Sequence, residues 1–445
     1  MRGLRWLAAA VVLVIAAMSS PAVPAAENKD SRAALKKIQT QLRSRLTTER
    51  VDAVRKLRTF PPLEAARLVV QFGISDRTAE VRRIAYETLL TWSENGEVCR
   101  FLLTTLDKEI RRKAEAATVV PLIGALLDCD LPEIEGDLLK SLDALAAAPT
   151  GLIAVLTVAD ELGKQADRLA LKSLRKLTRL KCFSSAFVFR RAVVQAIARV
   201  PGPQAIDASL ELLPKLAGEV RGDVVRHLTQ STGQTHGNDG DAWLRWWKEH
   251  RTEFEQPADD GPMRLKEFVV RDVPSYYGLP LCAQRIVFVL DMSGSMAGSR
   301  LEMAKTELIQ AVAGLPEDVH FSIVVYSDRV TSWQRNLIPA NAAAKKNAAQ
   351  FARGLLARGS TATYDALETA MRFDAEAVYL LTDGRPTAGK IVAGNDIVTA
   401  VVRDNALRRM SIYTIGIDVG PAGNDFDVFL KGLAESNFGQ YRRVN

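Results

Sequence analysis

The sequence predicts an all-α solenoid followed by a doubly wound α/β domain. Three observations indicate this fold class. Helical apolar patterns follow one another from residue 30 to 255, one short theme recurs among them, and from residue 281 apolar strand-like runs alternate with helical patterns. Such alternation is typical of a mostly parallel sheet with helices on both faces.

The recurring theme of the helical region is a Val-Arg or Ile-Arg pair. It occurs at Val54-Arg55, Val81-Arg82 and Ile110-Arg111, so successive pairs lie 27 and 29 residues apart. A period of about 30 residues with two amphipathic helices per unit is the signature of an α-solenoid. In the second unit, either Asp76 or Thr78 is expected to cap a helix. The side chains at helical spacing that should form its buried stripe are Val81, Ile84, Ala85, Thr88 and Leu89.

An Asp followed a few residues later by Val-Arg-x-x-Ala, as at Asp76 and Val81-Arg82 to Ala85, resembles HEAT-like repeats. The resemblance covers residues 40–230, and an irregular helical bundle is the alternative. After these repeats, Trp243, Trp246 and Trp247 fall on one helical face. We interpret this stripe as a cap that seals the end of the solenoid, in preference to a sugar or peptide site.

The amino terminus has the three parts of a secretory signal peptide. Arg2 and Arg5 precede an apolar segment, Trp6–Met18, and small residues follow it up to Ala26. This segment of 13 residues is shorter than the span of about 20 residues that a bilayer requires. We therefore expect an exported protein with no membrane span in the mature chain, destined for the periplasm, the cell surface or secretion. An uncleaved amino-terminal anchor is the alternative.

Charge and cysteine content narrow the function classes. The net charge of +7 is spread along the chain without a basic block, which argues against nucleic-acid binding. The four cysteines, Cys99, Cys129, Cys182 and Cys282, have no Cys-x-x-Cys spacing and allow two disulfides. Three of them lie among helical apolar residues, so we expect structural thiols that fill the core.

The residues Ile286–Leu290 form an apolar run, which predicts a strand buried on both faces. It ends in a loop in which Asp291, Ser293 and Ser295 place a carboxylate and two hydroxyls on alternate residues. In an open α/β sheet, ligands bind at the carboxyl ends of the strands. Oxygen ligands of this kind suit Mg²⁺, Mn²⁺ or Ca²⁺ better than zinc.

Two further oxygen donors follow in the same domain. Thr361 precedes a predicted helix, and Asp383 follows the apolar run Val378–Leu381. With Asp291, Ser293 and Ser295, these residues make the domain resemble a von Willebrand factor type A domain, a Rossmann-like fold, with a complete metal-ion-dependent adhesion site.

The resemblance implies that all five residues hold one divalent cation, with Mg²⁺ expected and Mn²⁺ or Ca²⁺ as alternatives. It also implies a protein partner that supplies an acidic side chain to the metal. The leading hypothesis is thus an exported, non-enzymatic interaction or adhesion protein. A scaffold that acts through the solenoid, with the carboxyl-terminal domain purely structural, is the alternative.

A nucleotide-binding enzyme is the third hypothesis, because Gly384–Lys390 has the glycine and lysine spacing of a phosphate-binding loop. Position 391 is Ile, however, where that motif requires Ser or Thr. The sequence predicts four parts in all: a signal peptide (residues 1–26), a helical-repeat domain (30–255), a linker (256–280) and the α/β domain (281–445).

Overall fold

The computed structural model describes residues 29–254 and 273–444. The predicted signal peptide lies outside these ranges, as do residues 255–272 of the predicted linker. Contacts divide the chain into two compact units, Met1–Leu89 and Leu90–Asn445, which we describe separately. Among the described residues, no helix combines the length and the apolar character needed to cross a bilayer.

The described part of the first unit is helical, which confirms the all-α prediction there. Its helices are α1 (Lys29–Gln41), α2 (Thr47–Lys56), α3 (Pro62–Leu68) and α4 (Ala79–Leu90). The buried residues of α4 are the five that the apolar pattern predicts. Asp76 accepts a hydrogen bond from the backbone N–H of Thr78 at 2.8 Å and binds both Nε and Nη2 of Arg50, at 2.8 and 3.1 Å.

The second unit begins with further helices and contains no strand before residue 254. They are α5 (Gly96–Arg111), α6 (Ala116–Leu127), α7 (Pro132–Ala146), α8 (Pro149–Gln165), α9 (Arg168–Leu177), α10 (Lys181–Ser185), α11 (Phe187–Arg199), α12 (Pro203–Leu212), α13 (Gly218–Thr232) and α14 (Gly240–His250). Each packs mainly on helices within three positions along the chain, as expected of a helical array. In α14, Trp243 and Trp247 are buried and the Trp247 indole donates to Asp207 at 2.7 Å.

The remainder of the second unit alternates strands and helices, which confirms the predicted α/β domain. Its strands are β1 (Ser275–Tyr276), β2 (Leu279–Pro280), β3 (Arg285–Asp291), β4 (His320–Tyr326), β5 (Val330–Ser332), β6 (Ile338–Pro339), β7 (Ala377–Thr382), β8 (Ser411–Ile417) and β9 (Tyr441–Val444). Its helices are α15 (Ser299–Gly314), α16 (Ala342–Arg353), α17 (Thr363–Ala370), α18 (Gly394–Asn405) and α19 (Asp425–Glu435).

The main sheet has the order β5-β4-β3-β7-β8-β9, with β6 also paired to β4. Strands β4, β3, β7, β8 and β9 are parallel, whereas β5 and β6 run antiparallel to β4. Apolar side chains alternate along β3: Ile286, Phe288 and Leu290 pack with α15 and α16, and Val287 and Val289 pack with α17, α18 and α19. Both faces of the sheet are therefore covered, as in other doubly wound domains.

Helices α11 and α13 pack against the amino end of β8. Arg191 of α11 is fully buried and pairs with Asp223 of α13 through Nε and Nη2, at 2.7 and 3.1 Å. The same guanidinium donates to the carbonyl of Arg409 and to the hydroxyl of Ser411, the first residue of β8. Helices α11 and α13 thus contact the sheet at the end opposite the carboxyl ends of its strands.

Candidate metal centre

The two predicted acidic residues lie at the carboxyl ends of adjacent parallel strands. Asp291 is the last residue of β3, and Asp383 directly follows β7. The register pairs Leu290 with Leu381, which brings the two strand ends side by side. Strand β3 has β4 as its neighbour on one side and β7 on the other, so the strand order reverses at β3. Open α/β sheets bind ligands at the carboxyl ends of the strands beside such a topological switch point.

Asp291 is fully buried, and its carboxylate is held by groups on three elements. Oδ1 accepts the backbone N–H of Ser293 at 2.7 Å, while Oδ2 accepts the hydroxyls of Thr382 at 2.6 Å and of Tyr326 at 3.4 Å. Burial is the main cause that raises the pKa of this carboxyl to about 6, and the nearby Asp383 charge adds to the effect. The carboxylate therefore lies where a positive charge would stabilise its ionised form.

A continuous chain of oxygen atoms connects three of the other four predicted ligands. The hydroxyls of Ser293 and Ser295 lie 3.0 Å apart, and the Ser295 hydroxyl donates to Oδ1 of Asp383 at 2.7 Å. Ser293 is buried whereas Ser295 is exposed, so the chain meets the solvent at Ser295. The structure thus brings Ser293, Ser295 and Asp383 together, as the spacing predicts.

Thr361 lies on a loop that is hydrogen-bonded to the first one. The N–H of Gly294 donates to the carbonyl of Gly359 at 2.9 Å, and Gly359 has a φ of 77°, a conformation that glycine adopts without strain. A Cβ on Gly359 would lie 2.2 Å from Oδ1 of Asp328, so glycine also fits the space. Thr361 itself is buried, and its N–H donates to the hydroxyl of Thr387 at 3.0 Å.

The donor set fits a hard divalent cation. Two carboxylates and hydroxyl oxygens are the groups that Mg²⁺ and Mn²⁺ prefer, with water completing the coordination. In the part of the chain that the structure describes, no three His, Cys, Asp or Glu side chains converge, so the hydroxyls would have to supply the remaining donors. Asp291, Ser293, Ser295, Thr361 and Asp383 are the residues that would hold the ion.

The structure adds Arg300, a residue that sequence reasoning missed. Its guanidinium donates to the carbonyl of Ser295 at 3.0 Å, to Asp383 at 3.2 Å and to Asp418 at 2.8 Å. Asp418 follows β8 at the same edge of the sheet. Arg300 lies in the first turn of α15, where the helix dipole disfavours a positive charge. This unfavourable position is the sequence signal that could have indicated a role for Arg300 outside the helix.

The phosphate-loop motif is not arranged to bind phosphate. Lys390 forms an ion pair with Glu368, with its ammonium group 2.6 and 2.9 Å from the two carboxylate oxygens, and its backbone N–H donates to Asp365 at 3.0 Å. Helix α18 begins only at Gly394, so Lys390 does not open a helix. Neighbouring carboxylates would repel a phosphate at this position.

Comparison with known proteins decides the family of this domain. The family model described as von Willebrand factor type A domain matches residues 284–443. This region of the chain is a von Willebrand factor type A domain. The match starts one residue before β3 and ends one residue before the end of β9, so it contains nearly all of the main sheet and all five predicted ligands. The resemblance to a von Willebrand factor type A domain is therefore confirmed, whereas metal binding by the five residues stays a prediction.

Curated relatives share this domain, but the alignment covers only a small part of each relative. Inter-alpha-trypsin inhibitor heavy chain H4 of Homo sapiens is 31% identical over 184 residues, which cover 38% of this chain and 19% of the relative. Heavy chain H3 of Mesocricetus auratus is 28% identical over 181 residues, which cover 38% of this chain and 20% of the relative. The chain thus spans about a fifth of the length of these relatives.

Among solved structures, a von Willebrand factor type A protein from Catenulispora acidiphila is 19% identical, with a TM-score of 0.32. The match covers 38% of this chain and 40% of the other.

Proposed function

We propose that this chain is an exported, non-enzymatic protein that binds a protein partner through a divalent cation held by its von Willebrand factor type A domain. The observation that carries the proposal is the oxygen chain from Ser293 through Ser295 to Asp383, beside the buried Asp291 carboxylate. The shared domain with the inter-alpha-trypsin inhibitor heavy chains supports an interaction role. The amino-terminal charge and apolar pattern supports export.

The residues at the site favour binding over turnover. Asp291 and Asp383 would balance the two charges of the cation, while the serine and threonine hydroxyls add donors without adding charge. A bound cation would supply Lewis acidity and an open position for one more oxygen. Arg300 adds a positive charge beside Asp383, which Asp418 in turn balances. The site would therefore carry no net negative charge that repels an acidic partner.

The approach to the site supports the same function. Gly294, Ser295, Ser360 and Arg385 are exposed around the buried Asp291, so a partner side chain can reach the edge of the sheet. Helices α11 and α13 contact the amino end of β8, and β8 is seven residues long. At about 3.3 Å per residue, roughly 20 Å separates the amino end of β8 from its carboxyl end. Helices α11 and α13 therefore do not cover the site.

Metal affinity should depend on pH because a proton competes with the cation at Asp291. The folded-state pKa of Asp291 is about 6, above its usual value of 3.8, so the carboxylate is ionised above that pH and protonated below it. Mg²⁺ affinity should be constant above about pH 7 and fall roughly tenfold per unit below about pH 6. Calorimetric titration with Mg²⁺ between pH 5 and 8 measures this. Constant affinity down to pH 5 would contradict a role for Asp291.

An external carboxylate should occupy the open position of the bound cation. Paramagnetic Mn²⁺, bound to the full chain, should enhance the relaxation of water protons because water exchanges at that position. Adding acetate, or a short peptide that contains Asp, should lower this enhancement by replacing water. Acetamide, which is neutral and of similar size, is the matched control and should change it little.

Two outcomes would count against this function. If acetate and acetamide act equally, the bound ion does not select an acidic group and the adhesion role is lost. If a captured partner binds the full chain equally well in Mg²⁺ and in EDTA, the helical region is the binding surface, as in the alternative hypothesis.

A further inference from the structure

Outside the metal centre, the structure brings two of the four cysteines together. The sulfur atoms of Cys99 and Cys129 lie 2.7 Å apart, closer than two non-bonded sulfur atoms normally rest. Both residues are 1% exposed. Neither Cys182 nor Cys282 has a sulfur atom in contact with another cysteine in the described residues. The structure therefore singles out one pair from the four thiols.

The pair lies at the open end of a helical hairpin. Cys99 is in the first turn of α5, and Cys129 lies two residues beyond the end of α6. The two helices pack against each other, so a bond between these cysteines would join the start of one to the end of the next. The sulfur atoms would need to approach by about 0.7 Å to reach the disulfide distance of about 2.05 Å.

The surroundings make Cys129 the better nucleophile of the two. The thiols share a hydrogen bond that raises the pKa of Cys99 and lowers the pKa of Cys129. The buried ammonium group of Lys176 donates to the carbonyls of Leu127 and Cys129, both at 2.7 Å, and its charge lowers the pKa of Cys129 further. A thiolate at Cys129, stabilised in this way, is the form that attacks a disulfide.

We propose that Cys99 and Cys129 form a disulfide bond, made by exchange with a small-molecule or protein disulfide while the helical region folds. The Cys129 thiolate attacks one sulfur of that oxidant and releases the other as a thiolate. The Cys99 thiol then loses its proton, attacks the Cys129 sulfur and releases the second thiolate. The two cysteines lose two electrons and two protons, and the oxidant is reduced to two thiols.

The bond has a definite structural consequence. It closes a loop between residues 30 positions apart and joins the two ends of the α5–α6 hairpin. Linking these ends restricts the unfolded chain, which stabilises the folded state. Because both sulfurs are buried, a reductant would reach the bond only after local unfolding. In the cell the pairing rests on the proposed export, since oxidising compartments maintain disulfides.

The test uses the full chain and a defined oxidant, so it does not depend on metal binding or on export. The reduced, unfolded chain is refolded in a buffer of oxidised and reduced glutathione, and the remaining thiols are alkylated under denaturing conditions. Peptide mass mapping should find Cys99 linked to Cys129 and alkyl groups on Cys182 and Cys282. Alkylation of all four cysteines, or a link from Cys99 or Cys129 to another cysteine, would overturn the pairing.

Unfolding temperature gives a second readout for variants. Reductant added during refolding should lower the unfolding temperature of the wild type by roughly 5–10 °C, as expected for loss of a disulfide. The double variant Cys99→Ser, Cys129→Ser should show no effect of reductant. Cys182→Ser is the matched control and should keep the wild-type response. An equal response of the double variant and the wild type would refute the proposal.

Discussion

Replacing Asp383 with alanine should abolish the rise in unfolding temperature that Mg²⁺ gives the wild-type chain. Asp383 accepts from Ser295 and Arg300 at the end of β7, so its loss removes a ligand and leaves the oxygen chain incomplete. A cation that binds only the folded state at 100 times its Kd stabilises it by about 2.7 kcal/mol. Scanning calorimetry with saturating Mg²⁺ and with EDTA measures the difference, which the variant should lack.

Two further variants sharpen this prediction. Asp291→Asn should also lose the Mg²⁺ effect, yet without metal it should be at least as stable as the wild type near pH 7. The pKa of Asp291 is raised from 3.8 to about 6 in the folded state, so the metal-free fold loses stability as the pH rises between these two values, and the loss is complete near pH 7. Asp374→Asn changes a carboxylate that is 91% exposed before β7, and it should keep the full effect. An unchanged Mg²⁺ effect in Asp383→Ala would contradict the proposed ligand set.

Replacing Arg191 with methionine should destabilise the chain by about 3–5 kcal/mol, the usual effect of breaking a buried ion pair. Arg191 is fully buried, and its guanidinium lies over the rings of Phe187 and Phe438. Its removal leaves Glu219 without its counter-charge and leaves Asp223 with only the partly exposed Arg226. Urea unfolding at constant pH measures the change.

The pH dependence and a control distinguish this account from a simple loss of packing. Burial raises the pKa of Glu219, so this carboxyl takes up a proton more readily than it would in the unfolded chain. The destabilisation by Arg191→Met should therefore shrink as the pH falls, because a protonated Glu219 no longer needs a counter-charge. Arg226→Met removes a partly exposed partner of Asp223 and should cost less than about 1 kcal/mol. Equal effects of the two variants would contradict the account.

Much of the fold follows from local pattern. The buried stripe of α4 and the apolar runs that became β3, β4, β7 and β8 each depend on spacing within a few residues. The antiparallel strands β5 and β6 were missed, since they have only three and two residues and little apolar pattern.

The sequence predicts the part of the candidate site that lies on loops at the carboxyl ends of neighbouring strands. Asp291, Ser293, Ser295 and Asp383 belong to two loops that a parallel sheet must bring together, and the structure places them within hydrogen-bonding contact. Arg300, by contrast, reaches Asp383 and Asp418 through a side-chain direction that no spacing reveals. The same limit applies to the pair formed by Arg191 and Ser411, which lie 220 residues apart in the chain.

We expect one divalent cation to bind where the carboxyl ends of β3 and β7 meet. Isothermal titration of the metal-free full chain with Mg²⁺, and with Mn²⁺ as a second ion, tests this most directly. The wild type should show one site per chain, and the chain should show no detectable binding when Asp291 or Asp383 is replaced with alanine. Absence of binding in the wild type, or binding that survives both substitutions, would contradict it.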